Sequence, residues 1–176
     1  GLTRDDTVMA IFYANCNDTI VIKKVEEGIK KWEKIAKGQP APGFEYPDIN
    51  GNKVSLDDLK GKYVYIDVWA TWCGPCKAEI PHLKELEKEM HGKNIVFVSV
   101  SVEDSKEDWE KMVKEKELGG IQLFGGAGWK SSITDAYNIR GIPRFILIDK
   151  EGMIIDATAP RPSGEIKDVL LALERI

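Results

Sequence analysis

Two thiols separated by two residues, in Cys73-Gly74-Pro75-Cys76, are the side chains best placed to do chemistry. They follow an apolar run, Tyr63 to Ala70, and precede a helix-compatible segment, Lys77 to Glu89. A strand-to-helix turn of that kind can hold a disulfide that forms and breaks reversibly, exchanging electrons with other cysteines. A thiol attacks only as its thiolate, so something must lower its pKa. Cys73 falls just before the first helical turn, where unsatisfied N–H groups and the positive end of the helix dipole favour an anion. Cys76, one turn further in, is within disulfide reach and is expected to be the more buried of the two. The expected roles follow. Cys73 attacks a partner's disulfide, and Cys76 resolves the mixed disulfide by attacking the Cys73 sulfur. Pro75 suits an early helical position, where a missing N–H costs nothing, and Gly74 leaves one side of the sulfur open.

Cys76 must itself lose a proton, and burial raises a thiol's pKa. Two carboxylates are placed to help. Asp67 lies six residues before Cys73, in an apolar run where charge is expensive. Glu79 lies three residues after Cys76, on the same helical face. Glu79 also reads as an ordinary solvated helix residue, a reading much harder to apply to Asp67. A neighbouring carboxylate disfavours thiolate, which destabilises the dithiol and makes the pair more reducing. No basic residue lies between the cysteines to oppose this.

Trp69 reads as core, whereas Trp72 beside the nucleophile reads as a shield and part of a docking surface. Pro81 is expected to kink the helix. Gly141-Ile142-Pro143 precedes the apolar run Arg144 to Ile148. A proline at the start of a strand is weak evidence alone. Beside a redox turn it suggests a cis bond packed on the disulfide, leaving the Ile142 backbone free for an extended substrate segment. Zinc competes poorly for this site: it needs about four ligands, and no second cysteine pair exists. His82 and His91 are spaced wrongly to complete a tetrahedron, and Cys16 reads as a bystander thiol.

The elements that must position these residues alternate between strand and helix. Strands are predicted at 63–70, 94–102, 121–124, 144–149 and 153–158, and helices at 77–90, 105–117, 129–138 and 163–175. Such alternation implies an α/β fold, a mostly parallel sheet covered on both faces, with the last two strands as an antiparallel hairpin at one edge. Asp48 to Val54 carries an Asn-Gly turn and predicts a small hairpin, after which Ser55 caps a short turn, Leu56 to Lys60. Residues 1–39 read as a helical N-terminal extension to a main domain of 40–176. Asp5 or Asp6 caps a helix through Ala14, and Asp18 or Thr19 caps a second running to about Lys37. Val21, Val25, Ile29, Trp32 and Ala36 form its apolar stripe, expected to pack on the main domain. Gln39 to Gly43 reads as a linker.

The 176 residues carry a net charge of −4 and three cysteines. That balance gives no general attraction to nucleic acid, and three cysteines are too few for a disulfide scaffold. No stretch reaches the roughly 18 consecutive apolar residues of a membrane span. A signal peptide or anchor is expected to lie outside this chain.

The stretch Asp67-Val68-Trp69-Ala70-Thr71-Trp72-Cys73-Gly74-Pro75-Cys76-Lys77 closely resembles the active-site signature of the thioredoxin superfamily. Pro143 occupies the place of that family's cis-proline. Pro42-Gly43-Phe44 through Leu56 to Lys62, the Glu79 and Pro81 pair, and an insert at about 103–128 make it most similar to the TlpA/ResA-like branch. The resemblance runs from Pro42 to Ile176. It implies a thioredoxin-like fold, Cys73 as nucleophile, Cys76 as resolving thiol and Asp67 as its proton acceptor. No cofactor is implied beyond the Cys73–Cys76 disulfide. Implied partners are protein disulfides and an upstream membrane or thioredoxin-type reductant, often in cytochrome c maturation, in the bacterial periplasm or anchored at its membrane. A monomer is expected. The Gly-rich stretch, Gly119-Gly120 to Gly128, departs from the shortest members. Competing readings are a peroxiredoxin-like peroxidase, disfavoured because Thr71 is two rather than three residues before Cys73, and a redox-inactive interaction module. An oxidase or isomerase would keep the chemistry and reverse its direction.

Overall fold

The computed structural model describes residues 6–103, 105–174 and 176, without the side chain of Asp6. Its elements are α1 (Asp6–Asn15), α2 (Thr19–Glu33), β1 (Glu45–Pro47), β2 (Lys53–Ser55), β3 (Tyr63–Trp69), α3 (Gly74–Glu89) and β4 (Ile95–Ser101). After them come α4 (Lys106–Glu115), β5 (Ile121–Phe124), α5 (Ser132–Ala136), β6 (Arg144–Ile148), β7 (Ile154–Asp156) and α6 (Ile166–Leu171). Strands β5-β4-β3-β6-β7 form one sheet, and β1-β2 a separate hairpin. β3 lies at the centre, parallel to β4 from Tyr63↔Ile95 to Trp69↔Ser101 and antiparallel to β6 from Val64↔Ile148 to Val68↔Arg144. The sheet is therefore mixed, with the antiparallel β6–β7 hairpin forming one edge.

Strand periodicity splits the core. Val64, Ile66 and Val68 of β3 join the cluster that also holds Cys73, Cys76, Trp109 and Ile146. Tyr65 faces the other way, into a cluster with Leu83 and Leu86 of α3 and Ile166 and Leu170 of α6. Asp67 shares the Tyr65 parity and so points toward α3.

The termini of the elements have local causes. Asp18, not Thr19, caps α2: its Oδ1 accepts the N–H of Ile20 at 2.8 Å and of Val21 at 3.2 Å. The Asp5 cap lies outside the described residues, while the predicted 163–175 helix already ends at Leu171. Ser55 and Asp58 pair reciprocally at the Asp57–Leu59 turn: Ser55 N–H and Oγ–H donate to Asp58 Oδ2 at 2.8 and 2.6 Å, and Asp58 N–H donates to Ser55 Oγ at 3.4 Å.

Several predicted boundaries move. α2 stops at Glu33 rather than Lys37, because Gly38 (φ +82°) turns the chain onto the sheet edge. There Gly38 N–H donates to the Ile154 carbonyl at 2.8 Å, and Ile154 N–H to the Gln39 carbonyl at 2.8 Å. The expected linker thus covers the edge of β7. The predicted 129–138 helix breaks at Ser131, where the Tyr46 hydroxyl accepts the Ile133 N–H at 3.0 Å. The predicted 163–175 helix starts only at Ile166, since Ser163 is committed to Glu79. β7 ends at Asp156, whose Oδ1 accepts the Thr158 N–H at 2.7 Å.

Of the predicted α2 stripe, Ile29 is buried and Trp32 packs against the core, while Val21 stays exposed. Ile35, just past the helix, is 2% exposed and belongs to the same cluster as both redox cysteines. Trp32 also lies under the Arg144 guanidinium, 5.8 Å from ring centroid to Cζ. Ile35→Ala should therefore cost about 2–5 kcal/mol, read as a lowered urea midpoint at unchanged slope. An unchanged midpoint would mean that this segment hangs free of the domain.

Candidate active site

β3 delivers its chain at Ala70, whose carbonyl accepts the Cys73 N–H at 3.1 Å and tightens the turn. α3 then begins at Gly74, three residues earlier than the predicted start, with Cys73 as its N-cap. The Cys73 Sγ accepts the Cys76 N–H at 3.1 Å, the position a capping oxygen would take. Cys73 and Cys76 are joined by a disulfide, with Sγ–Sγ 2.01 Å and Cα–Cα 5.2 Å. Pro75 occupies the first turn, where its missing N–H leaves no bond unmade.

The expected contrast in burial is absent: each cysteine is 4% exposed. Capping folds the Cys73 sulfur back over the helix start, so bonding covers both. Gly74 and Pro75 remain exposed, and a Cβ on Gly74 would meet nothing within 4 Å. That side of the turn is open.

Beneath the disulfide lies a cavity of about 10 Å³ lined by Asp67, Trp69, Cys76, Glu87 and Gln122. That is on the order of one water molecule. Asp67 Oδ1, Trp69 Nε1 and Gln122 Oε1 are all sealed from solvent without a hydrogen-bond partner among the described residues. All three side chains line that cavity, which has room for a single bridging water. Burial, with Glu79 and then Glu87 adding negative potential, pushes the Asp67 carboxyl up to about 8. Glu87 is also raised by burial, against the opposing pull of Lys84. Asp67 thus reaches Cys76 through a shared cavity, protonated at neutral pH in the disulfide form.

Glu79 is 7% exposed, which removes the reading of a solvated helix residue. Its carboxylate accepts the Ser163 N–H at 3.0 Å and Oγ–H at 2.9 Å, and lies 3.8 Å from Arg161 Nη1. The loop before α6 therefore holds Glu79, whose charge acts on Asp67. α3 runs on through Pro81 as one helix.

The Ile142–Pro143 bond is cis. Ile142 packs against the cluster containing both cysteines. Its N–H and carbonyl make no hydrogen bond among the described residues. Trp72 is 56% exposed, its ring centroid 6.4 Å from that of Trp129.

Glu103 was not singled out from the sequence. It is 6% exposed at the end of β4, and its Oε2 accepts the N–H of Thr71 at 3.2 Å and the Thr71 hydroxyl. It holds the residue two before Cys73. A carboxylate just past the carboxyl end of a buried parallel strand, where α/β sites collect, was the available signal. Glu87 carried no such signal, since an acid on a helix surface is ordinary. Among the described residues no group of three or more His, Cys, Asp or Glu could hold a metal ion.

Residues 37–157 match the AhpC/TSA family. The chain belongs to that family. Over 123 residues it is 33% identical to the thiol-disulfide oxidoreductase ResA of Bacillus subtilis, covering 70% of this chain and 67% of the relative. It is 34% identical over 149 residues to the thioredoxin-like protein YneN of the same organism, covering 85% and 83%. A crystallised Bacteroides vulgatus protein assigned to the thiol-disulfide oxidoreductases superposes with a TM-score of 0.74 at 41% identity. That match covers 80% of this chain and 99% of the other. The fold is thioredoxin-like, of the TlpA/ResA type, and the chemistry that goes with it is thiol-disulfide exchange.

Two outcomes follow for the acids. Between 3.8 and about 8 the folded, oxidised chain keeps an Asp67 proton that the unfolded chain has released. Stability from this group therefore falls as pH rises across that window. Asp67→Asn should gain stability over the parent progressively through it and level off above, measured by urea midpoints at each pH. Parallel profiles would show that Asp67 titrates at an ordinary value. Glu79→Gln keeps an acceptor for Ser163, so the fold should persist while resolution by Cys76 slows and its pH dependence shifts. Unchanged single-turnover rates and pH profile would remove Glu79 from the mechanism.

Proposed function

We propose that this protein reduces disulfides of other proteins, with Cys73 as nucleophile and Cys76 as resolving thiol. The observation that carries the reading is the pair itself: one sulfur caps the helix start beside the open Gly74, and the other belongs to a residue lining the acid-lined cavity. In the reduced protein the Cys73 thiolate attacks one client sulfur. A bond forms between them, the client S–S breaks, and its second sulfur leaves as a thiolate that takes up a proton. Cys76 then gives its proton to the cavity and attacks Cys73 Sγ. The Cys73–Cys76 bond forms and the mixed disulfide breaks, releasing the client as a dithiol. Two electrons have passed from this protein to the client.

Asp67 in its ionised form serves as proton acceptor for Cys76, so resolution quickens as pH rises toward about 8, and Glu79 adds to the negative potential there. Acid groups around the pair penalise the dithiolate and favour reduction of clients over their oxidation. Ile142 and Pro143, with Gly74, Pro75 and Trp72, form the face that receives the client. The electrons come from an upstream membrane or thioredoxin-type reductant. The working location is the bacterial periplasm or its membrane surface, with the chain acting as a monomer and cytochrome c maturation as the client pathway. The TlpA/ResA resemblance supports these assignments. A peroxidase needs a hydroxyl aimed at the attacking sulfur, whereas the Thr71 hydroxyl is spent on Glu103.

Insulin reduction by dithiothreitol should accelerate with the parent and return to the uncatalysed rate with Cys73→Ser, while Cys76→Ser should retain clients as mixed disulfides. Glutathione equilibration should place the potential below about −180 mV, toward thioredoxin at about −270 mV rather than DsbA at about −120 mV. A higher value would reverse the proposed direction, and peroxide turnover without insulin reduction would replace the reading altogether.

A further inference from the structure

Trp129 is 51% exposed, and its ring meets the equally open Trp72 at a centroid separation of 6.4 Å with planes tilted by 56°. Trp72 comes from the turn directly before Cys73. Trp129 comes from the other side of the chain's glycine-rich stretch, in a single 3-10 turn, Gly128–Lys130. The backbone makes an unusual effort to bring it there. Gly126, Ala127 and Gly128 all have positive φ, at 56°, 55° and 52°, and Ala127 has no glycine freedom to do so cheaply. Hydrogen bonds then pin the result: Ser131 Oγ donates to the Gly125 carbonyl at 3.2 Å, and Thr134 Oγ1 to the Trp129 carbonyl at 3.0 Å. A strained loop locked from both ends, with two indoles left in water, is a poor solution for stability alone.

The occupant of that surface follows from the sulfur chemistry. A client disulfide can reach Cys73 only if the client chain lies over the turn carrying Trp72. The unpaired Ile142 peptide groups offer an extended segment a place to hydrogen bond. Two adjoining indole faces offer its side chains large apolar area and few polar contacts.

We propose that Trp129 joins Trp72 in an apolar shelf that selects clients with a large apolar side chain beside the disulfide cysteine, held in an extended segment. The proposal rests on the reductase reading and names its substrate class. Trp129 acts on binding and touches no reacting atom.

The test compares two peptide disulfides that differ only in the residues flanking cysteine, leucine and phenylalanine in one and glycine and serine in the other. Each is reduced by the parent, Trp129→Ala and Trp129→Phe under dithiothreitol turnover. The parent should prefer the apolar peptide. Trp129→Ala should reduce that preference, as a ratio of kcat/KM, by about tenfold, with the change carried mainly in KM, and Trp129→Phe should restore most of it. An unaltered ratio in Trp129→Ala, or an equal loss on both peptides, would overturn the shelf while leaving the reductase reading intact. Failure of the parent to reduce either peptide would overturn the reductase reading, and the shelf with it.

Discussion

The Cys73 sulfur stands where a helix cap normally places an oxygen, accepting the Cys76 N–H at the start of α3. A capping position needs an acceptor and rewards negative charge, because backbone N–H groups there have no intrahelical partner. A thiolate satisfies both demands, so the same contact that finishes the helix favours ionisation of a reduced Cys73. Much of the surrounding structure can be understood as holding that junction still. β3 runs through the centre of the sheet with neighbours on both sides, the Ala70 carbonyl closes the turn, and Glu103 grips Thr71 from the adjacent strand.

The acids behind the disulfide obey a different logic. Asp67, Glu79 and Glu87 crowd one side of α3, and their mutual repulsion adds to desolvation in holding Asp67 protonated. A buried neutral acid is a proton reservoir whose occupancy can change when the neighbouring sulfur pair changes charge. Asp67 and Cys76 line one water-sized cavity, so the acid and the inner sulfur share an enclosed space. Glu79 is held differently, by two hydrogen bonds from Ser163, so its position depends on a loop remote in sequence.

The N-terminal helices are linked to this arrangement more closely than an appendage need be. Ile35 enters the cluster that holds the two cysteines, and Trp32 lies under Arg144, the residue that follows the cis-proline. The stretch after α2 closes the open edge of β7, a role ordinary for an edge strand's neighbour and invisible in its proline-rich composition.

What the amino-acid sequence determined by itself was everything set by short-range spacing. The cysteine pair, its place between an apolar strand and a helix, the Ser55 cap, Asp18 as one of two candidate caps and the proline before β6 were all legible, because neighbours along the chain decide them. The alternation of strands and helices was legible for the same reason, through periodicity. Tertiary structure decided the rest. It equalised the burial of the two cysteines by folding one sulfur over the helix, and it broke the 129–138 helix where Tyr46 supplied a hydroxyl. It shortened the final helix by diverting Ser163 to Glu79. Glu87, Trp129 and the cavity gain their significance only from residues far away in the chain, and contacts of that kind leave no period or spacing to read.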